Sequence, residues 1–205
     1  PVLADIGSQQ TDEDVPLTIT ISSSDVDNME LFYDADSDND AVTVSVTDNL
    51  LTLIPDPDYF GTANITVTVS DLFLTDDETF VLTVDPVNDP PVVTNVTIDP
   101  AVPTDNDDLV ISYNYSDVEG DEESGTTITW FKDGQEQPEF SNQLTIPASA
   151  TACDEEWYAV VISSDGELFG DPVNSQTVTI CAGNNPPEWS EIEDQHLDED
   201  SGENI

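Results

Sequence analysis

Alternation of apolar and polar residues at a period of two recurs throughout this chain. "AVTVSVT" (41–47) and "LLTLIP" (50–55) alternate on either side of Asp48-Asn49, and "GTANITVTVSD" (61–71) and "ETFVLTVD" (78–85) continue the style. Successive side chains of an extended chain point to opposite faces, so a period of two gives each segment one apolar and one polar face. No long stretch follows the helical period of 3.6. Turn residues punctuate the runs at sandwich-like spacing. The pattern predicts an all-β chain of Greek-key β-sandwiches arranged end to end.

Overlaying the chain on itself reveals a larger period. "TFVLTVDPVNDPPVV" (79–93) lies over "SQTVTICAGNNPPEW" (175–189) without a gap: Leu82 on Val178, Val84 on Ile180, Asn88 on Asn184, Pro90 on Pro186, Pro91 on Pro187. "LTITISSSDVD" (17–27) lies over "LVISYNYSDVE" (109–119), with Asp25 on Asp117 and Asp27 on Glu119. Residues 1–19 lie over 187–205, sharing Pro, Ile, Gln, an Asp-Glu-Asp run and a closing Ile. Such self-similarity marks tandem units. The expected organisation is one sandwich over 1–89, a second over 90–185, and the start of a third over 186–205. That last piece is too short to fold alone, so the natural protein is expected to continue.

Charge narrows the partners. Against 46 acidic residues stands a single Lys/Arg, for a formal charge of -45. Phosphate binding needs a cationic footprint, so nucleic acid is excluded, and anionic membrane surfaces with it. No stretch approaches the roughly 18 apolar residues of a membrane span. What this charge demands is cations, at sites or as a diffuse atmosphere. The 37% of hydrophobic residues sit in ordered runs, which argues against disorder. Acids crowd at 25–27, 34–40, 76–78, 117–123 and 154–156, whereas 61–70 and 79–84 have none. A halophile-style acidic coat without specific sites is the rival to metal binding, because surface charge of any kind goes to loops.

The second unit differs in detail from the first. "TTITWFKDGQ" (126–135) sets Trp130 in a strand before a tight turn at Lys132-Asp133-Gly134. An immunoglobulin-type sandwich carries a core Trp on its third strand in this way; any hairpin with an aromatic core residue is the alternative. Cys153 and Cys181 are the two cysteines. A disulfide between them implies an oxidising, extracellular setting; two free thiols are the other reading. Catalysis is not expected: there is no Ser-His-Asp or Cys-His set, no phosphate loop and no arginine clamp, and the lone His196 lies in the tail. Paired carboxylates can hydrolyse glycosides, but nothing singles out one pair. Asn64, Asn95 and Asn114 open N-x-S/T sequons, which matter only where the organism glycosylates them.

"PDPDYFGTANITVTVSD" (55–71) followed by "FVLTVDPVNDPP" (80–91) resembles the cadherin-like tandem repeats of large bacterial or archaeal surface and secreted proteins. "SDVEGDEE" (116–123) with "TTITWFKDG" resembles the immunoglobulin-like repeats interspersed among them. The resemblance covers 1–185, and the tail is similar to another cadherin-like start; its most specific part is 55–91. It implies passive units of adhesins and fibres, with no enzyme. In cadherin-type repeats calcium sits between successive domains. An acid near the first strand, acids on a lower loop, an Asn-Asp linker and a D-x-D loop of the next domain hold it. Carried over, the resemblance implies Glu13, then Asp56 or Asp58, then Asn88 with Asp89, then Asp117 with Glu119, and Asp165. Asp25, Asp27 and Asp71 complete the expected set of ligands. Pro90 in place of a polar linker residue and Glu119 in place of Asp depart from the family pattern.

Ligand chemistry agrees with that reading. Calcium takes about six to eight hard oxygen ligands, more than one short loop supplies, whereas facing loops plus a linker can. Pro90-Pro91 stiffens the crossing, because each proline fixes its own φ and biases its predecessor to extended geometry. Asn184-Asn185 lacks the linker acid, so weaker binding is expected there. "DADSDND" (34–40) begins like an EF-hand loop, but Asn39 stands at its sixth position and Ser45 at its twelfth. A solvated hairpin loop is expected there, with a second calcium site as the alternative.

The expected function is an extracellular, calcium-stiffened spacer, adhesive or fibre-forming segment. Its partners would be neighbouring repeats, other copies in filaments (through strand addition by the partial third unit), or a surface glycan or other cell-surface ligand. A carbohydrate-binding sandwich is the alternative. Trp157, Tyr158, Phe131 and Phe169 would be its aromatic platform, and core packing is their competing use.

Overall fold

The computed structural model describes residues 1–27 and 30–183. The expected third unit, the Asn184-Asn185 linker and His196 lie outside the described residues. The chain forms two compact units. One comprises Pro1–Asn95, Tyr113–Thr127 and Val161–Val173; the other comprises Val96–Ser112, Ile128–Val160 and the described residues from Asn174 onward.

Nine strands occupy the start of the chain: β1 (Val2–Leu3), β2 (Gln9–Asp12), β3 (Leu17–Thr20), β4 (Ser23–Ser24), β5 (Phe32–Ser37), β6 (Val42–Thr47), β7 (Leu50–Pro55), β8 (Gly61–Ser70) and β9 (Thr75–Asp85). They make a four-stranded sheet in the order β2-β9-β8-β5, a three-stranded sheet β3-β7-β6, and a β1-β4 ribbon. β8 and β9 pair antiparallel from Gly61↔Val84 to Ser70↔Thr75, so the alternation read from sequence becomes one shared inner face. Ala63, Ile65, Val67 and Val69 of β8 and Phe80, Leu82 and Val84 of β9 are buried in one cluster with Val42, Leu51 and Leu53. Burying each of the larger of these side chains contributes about 1.5–3 kcal/mol before the cost of ordering the chain. The Asp48-Asn49 turn between β6 and β7 is observed, with Asp48 at φ 55°, a left-handed conformation that Asp tolerates.

The acidic stretch 34–40 corrects an expectation. Asp34 and Asp36 are not loop residues; they lie in β5, which pairs with β8 from Phe32↔Ser70 to Ser37↔Ile65. They occupy exposed positions, while Tyr33, Ala35 and Ser37 between them are half-buried. β5 is the outer strand of its sheet, and charge on an edge strand blocks pairing with other chains. That use of acids hides the period of two.

The remaining strands are β10 (Val92–Asp99), β11 (Leu109–Ser116), β12 (Thr127–Lys132), β13 (Gln135–Glu136), β14 (Thr145–Ile146), β15 (Glu156–Ile162), β16 (Val173–Asn174) and β17 (Val178–Thr179). Two single 3-10 turns, Pro138–Phe140 and Ala148–Ala150, are the helical structure among the described residues, so the architecture is all-β. Asp133 and Gly134 both have positive φ, 49° and 75°, the requirement of a type I′ hairpin turn, as "KDG" suggested. Trp130 is fully buried. Its Nε1 donates to the Gln143 carbonyl at 2.9 Å, and its ring meets Trp157 edge-on, centroids 6.4 Å apart. Among the described residues no helix is long and apolar enough to cross a membrane.

Candidate metal centre

Three of the expected acidic ligands converge in the first compact unit. One carboxylate oxygen each from Glu13, Asp89 and Glu119 lies within 4.8 Å of the others. Each arrives by a different route. β2 runs parallel to β9 through Gln9↔Leu82 to Asp12↔Asp85, and the pairing extends one step, with Glu13 N donating to the Asp85 carbonyl at 2.9 Å. The chain then turns at Asp14, φ 59°, and Glu13 is left only 2% exposed. Asp89 sits on residues 86–91, the proline-rich linker from β9 to β10 within this unit. Glu119 follows β11, on a loop whose conformation is held by Asp121 N donating to Asp117 Oδ1 at 2.9 Å and by Ser124 N donating to the Ser164 carbonyl at 2.8 Å.

Two of the three carboxylates divide their oxygens between linker and cluster. Glu13 Oε1 accepts the Val87 amide at 2.5 Å, and Glu119 Oε2 accepts the Asp89 amide at 3.0 Å. The opposite oxygens, Glu13 Oε2 and Glu119 Oε1, are buried without a hydrogen-bond partner, as are Asp89 Oδ2 and Asp117 Oδ2. Burial, then the charges of Glu119, Asp58, Asp14 and Asp117 in that order, push the Asp89 carboxyl above the usual carboxylate range. Buried, unpaired negative charge of this kind is costly unless a cation meets it. The one Lys/Arg of the chain, Lys132, is engaged by Glu155 at 3.2 Å.

These residues fit a hard divalent cation. All the free donors are carboxylate oxygens, which suit Ca²⁺ or Mg²⁺ rather than a softer metal. Oxygens bound to one calcium at its usual distance are no more than about 5 Å apart, a limit the three oxygens meet.

The other expected ligands are distributed as follows. Asn88 Nδ2 donates to Asp165 Oδ2 at 2.9 Å, while Asp165 Oδ1 accepts the amides of Glu167 and Leu168 at 2.6 and 2.7 Å. The Leu168 and Glu167 amides, then Asn88, hold the Asp165 carboxyl below its ordinary value. Asp56 and Asp58 are exposed; Asp58 acts on Asp89 through its charge. Asp25, Asp27 and Asp71 fall outside the three-carboxylate cluster. Asp27 N donates to Asp25 Oδ1, and Asp71 Oδ1 accepts the Phe73 and Leu74 amides. Sequence reasoning missed Tyr115, whose hydroxyl is buried without a partner and whose ionisation burial, then Asp117 and Asp165, push up. It stands two residues before Asp117 on β11, a position that a strand's period of two would have placed on the same face.

The linker itself is clasped. Ser163 Oγ, fully buried, donates to the Pro91 carbonyl at 2.7 Å. Gly170 N donates to the Ser163 carbonyl at 3.0 Å. A Cβ at Gly170 would lie 2.0 Å from the Pro91 carbonyl oxygen, so only glycine admits the linker this closely.

The aromatic candidates for sugar binding are differently placed, and Phe169 is exposed. Trp157 is fully buried. Phe131 and Tyr158 stack on one another, centroids 4.8 Å apart and planes 3° from parallel, so each ring covers a face of the other. Cys153 and Cys181 are free, exposed thiols.

A family described as "Bacterial Ig domain" matches residues 1–83. Among solved structures, a crystal structure of human protocadherin-24 EC1-2 (form II) is 14% identical, with a TM-score of 0.51, covering 89% of this chain and 99% of that one. A second structure of human protocadherin-24 EC1-2 is also 14% identical, with a TM-score of 0.44, covering 89% and 97%. No curated protein matches the chain. Residues 1–83 therefore match the bacterial Ig domain family, and the fold is that of the cadherin-like and immunoglobulin-like β-sandwiches.

Proposed function

We propose that this chain is a non-enzymatic structural repeat segment of an extracellular surface protein, with sandwich domains over 1–89 and 90–185 and a calcium ion fixing the linker that joins them. The observation that carries this reading is the group of four buried, partnerless carboxylate oxygens on Glu13, Asp89, Asp117 and Glu119. Glu13, Asp89 and Glu119 would hold the ion. It would supply the positive charge that lets three carboxylates remain ionised together. Glu13 and Glu119 already hold the linker amides of Val87 and Asp89, so charge neutralisation there acts directly on the linker's freedom. The partners are neighbouring repeats of the same protein and, in a fibre or adhesive layer, further copies of it.

The test is the melting temperature in EDTA, in millimolar calcium, and in sodium chloride of matched ionic strength. A ligand bound only by the folded state stabilises it by about 2.7 kcal/mol at a hundredfold excess over Kd. A rise with calcium that matched salt does not reproduce supports the proposal. Equal rises with both, or none with calcium, overturn it and leave the acids as a solvated coat.

A further inference from the structure

The chain's two cysteines stand opposite one another through an irregularity in strand pairing. β15 and β17 are antiparallel, with Trp157↔Val178 and Glu156↔Thr179 in register. Beyond them Ile180 N donates to the Glu155 carbonyl, and the Ile180 carbonyl accepts from Asp154 N, both at 2.9 Å. Two residues, Asp154 and Glu155, thus face the single residue Ile180. Asp154 has φ 71°. A two-against-one count with a left-handed first residue is a G1-type β-bulge. Regular pairing would set Cys181 opposite Asp154; the extra residue moves the register by one and sets it opposite Cys153.

The backbone of Cys181 leaves that side free. Its amide donates to the Pro103 carbonyl at 2.8 Å, and its carbonyl accepts the Asp105 amide at 3.0 Å. Cys153 lies in a turn closed by Glu155 N on the Ala152 carbonyl at 3.3 Å, and the Asp154 N–Ile180 carbonyl hydrogen bond joins the residue after Cys153 to the residue before Cys181. In antiparallel pairs the Cα atoms flanking such a bond are about 4.5 Å apart, inside the roughly 4.4–6.8 Å that disulfides span. Both thiols are exposed, so an oxidant reaches them without unfolding.

We propose that Cys153 and Cys181 form an intramolecular disulfide by exchange with an external disulfide such as oxidised glutathione. The thiolate of one cysteine attacks a glutathione sulfur, giving a mixed disulfide and one released glutathione. The thiolate of the other then attacks the protein sulfur of that mixed disulfide, forming the Cys153–Cys181 bond and releasing the second. Two electrons pass from the cysteines to the oxidant, and their two protons end on the released thiols. The bond closes a loop that holds β15, β16 and β17, including the core residue Trp157, and ties it beside the 103–105 segment. This inference is independent of the cation reading.

The experiment treats the full chain with oxidised glutathione in EDTA, and measures intact mass and free thiols before and after reduction. The expected product is a monomer that has lost two hydrogen atoms in mass, carries no glutathione and has no reactive thiol. Cys153→Ser and Cys181→Ser should each accumulate one glutathione adduct. Persistent glutathione on both cysteines of the wild type, a disulfide-linked dimer, or two thiols still reactive at equilibrium would each overturn the proposal.

Discussion

Replacing Glu13 by Gln should change the sign of its effect with the cation supply. Gln keeps a carbonyl oxygen where Glu13 Oε1 accepts the Val87 amide, so the linker contact survives, and the substitution removes one charge from the cluster. At the 4.8 Å limit on the three oxygens' spacing, two unit charges repel by about 3.5 kcal/mol at an effective dielectric of 20. Glu13 has two such neighbours, but both are partly exposed, so solvent screens part of the repulsion. A net gain on the order of 1–3 kcal/mol remains for Glu13→Gln without divalent ions, raising Tm by very roughly 2–10 °C for a chain of this size. In saturating calcium the wild type recovers its charge balance and the variant lacks a ligand, so the variant should melt below it. Paired calorimetric scans in EDTA and in millimolar calcium give both numbers. Equal destabilisation in the two buffers would refute the reasoning and make Glu13 only an acceptor for Val87.

Three further outcomes are expected. Gly170→Ala should destabilise by about 1–3 kcal/mol, since its Cβ meets the Pro91 carbonyl and Ser163 Oγ at 2.0 and 2.3 Å; chemical denaturation measures it, and an unchanged midpoint would show that the linker is not clasped. Leu53→Ala, at a fully buried position of the first unit's core, should cost about 2–5 kcal/mol on the same assay. Tyr113 donates to Glu123 Oε1 at 2.7 Å, and burial first, then Glu123, pushes its pKa up to about 12. The folded state favours the neutral phenol, so this contribution to stability is whole below pH of about 10 and is lost as pH rises through about 12. Ultraviolet titration should show Tyr113→Phe removing one late ionisation.

The sequence carried most of the fold because period-two alternation is a direct imprint of one-sided burial. In β8 and β9 nearly every inward position is aliphatic or aromatic, and both strands were legible. β5 was not, because Asp34 and Asp36 on its outer face give it the composition of a loop. Glu13 was singled out from three consecutive acids by resemblance; in the structure it is the parallel β2-β9 ladder, with its extension to Asp85, that turns Glu13 inward and leaves Asp14 exposed. Asp89 and Glu119 were legible as linker and loop acids. Their convergence depends on loop conformation, which no linear spacing encodes. The Asp154 bulge was invisible for the same reason, since a left-handed Asp leaves only a weak mark in composition.

The parallel pairing of β2 with β9 also sets how the first unit would carry tension. β2 lies near the start of the chain and β9 runs into the linker at its far end. A pull applied at residues 1 and 91 therefore draws the two strands along each other in opposite directions. Their hydrogen bonds, from Gln9↔Leu82 to Asp12↔Asp85 and on to Glu13 N, lie across that direction. They are loaded together in shear, and the ladder must fail as a whole instead of peeling open one bond at a time. Glu13 closes that ladder with its backbone and holds Val87 with its side chain. The residue whose carboxylate faces Asp89 and Glu119 is thus also the bolt at the end of the force-bearing seam.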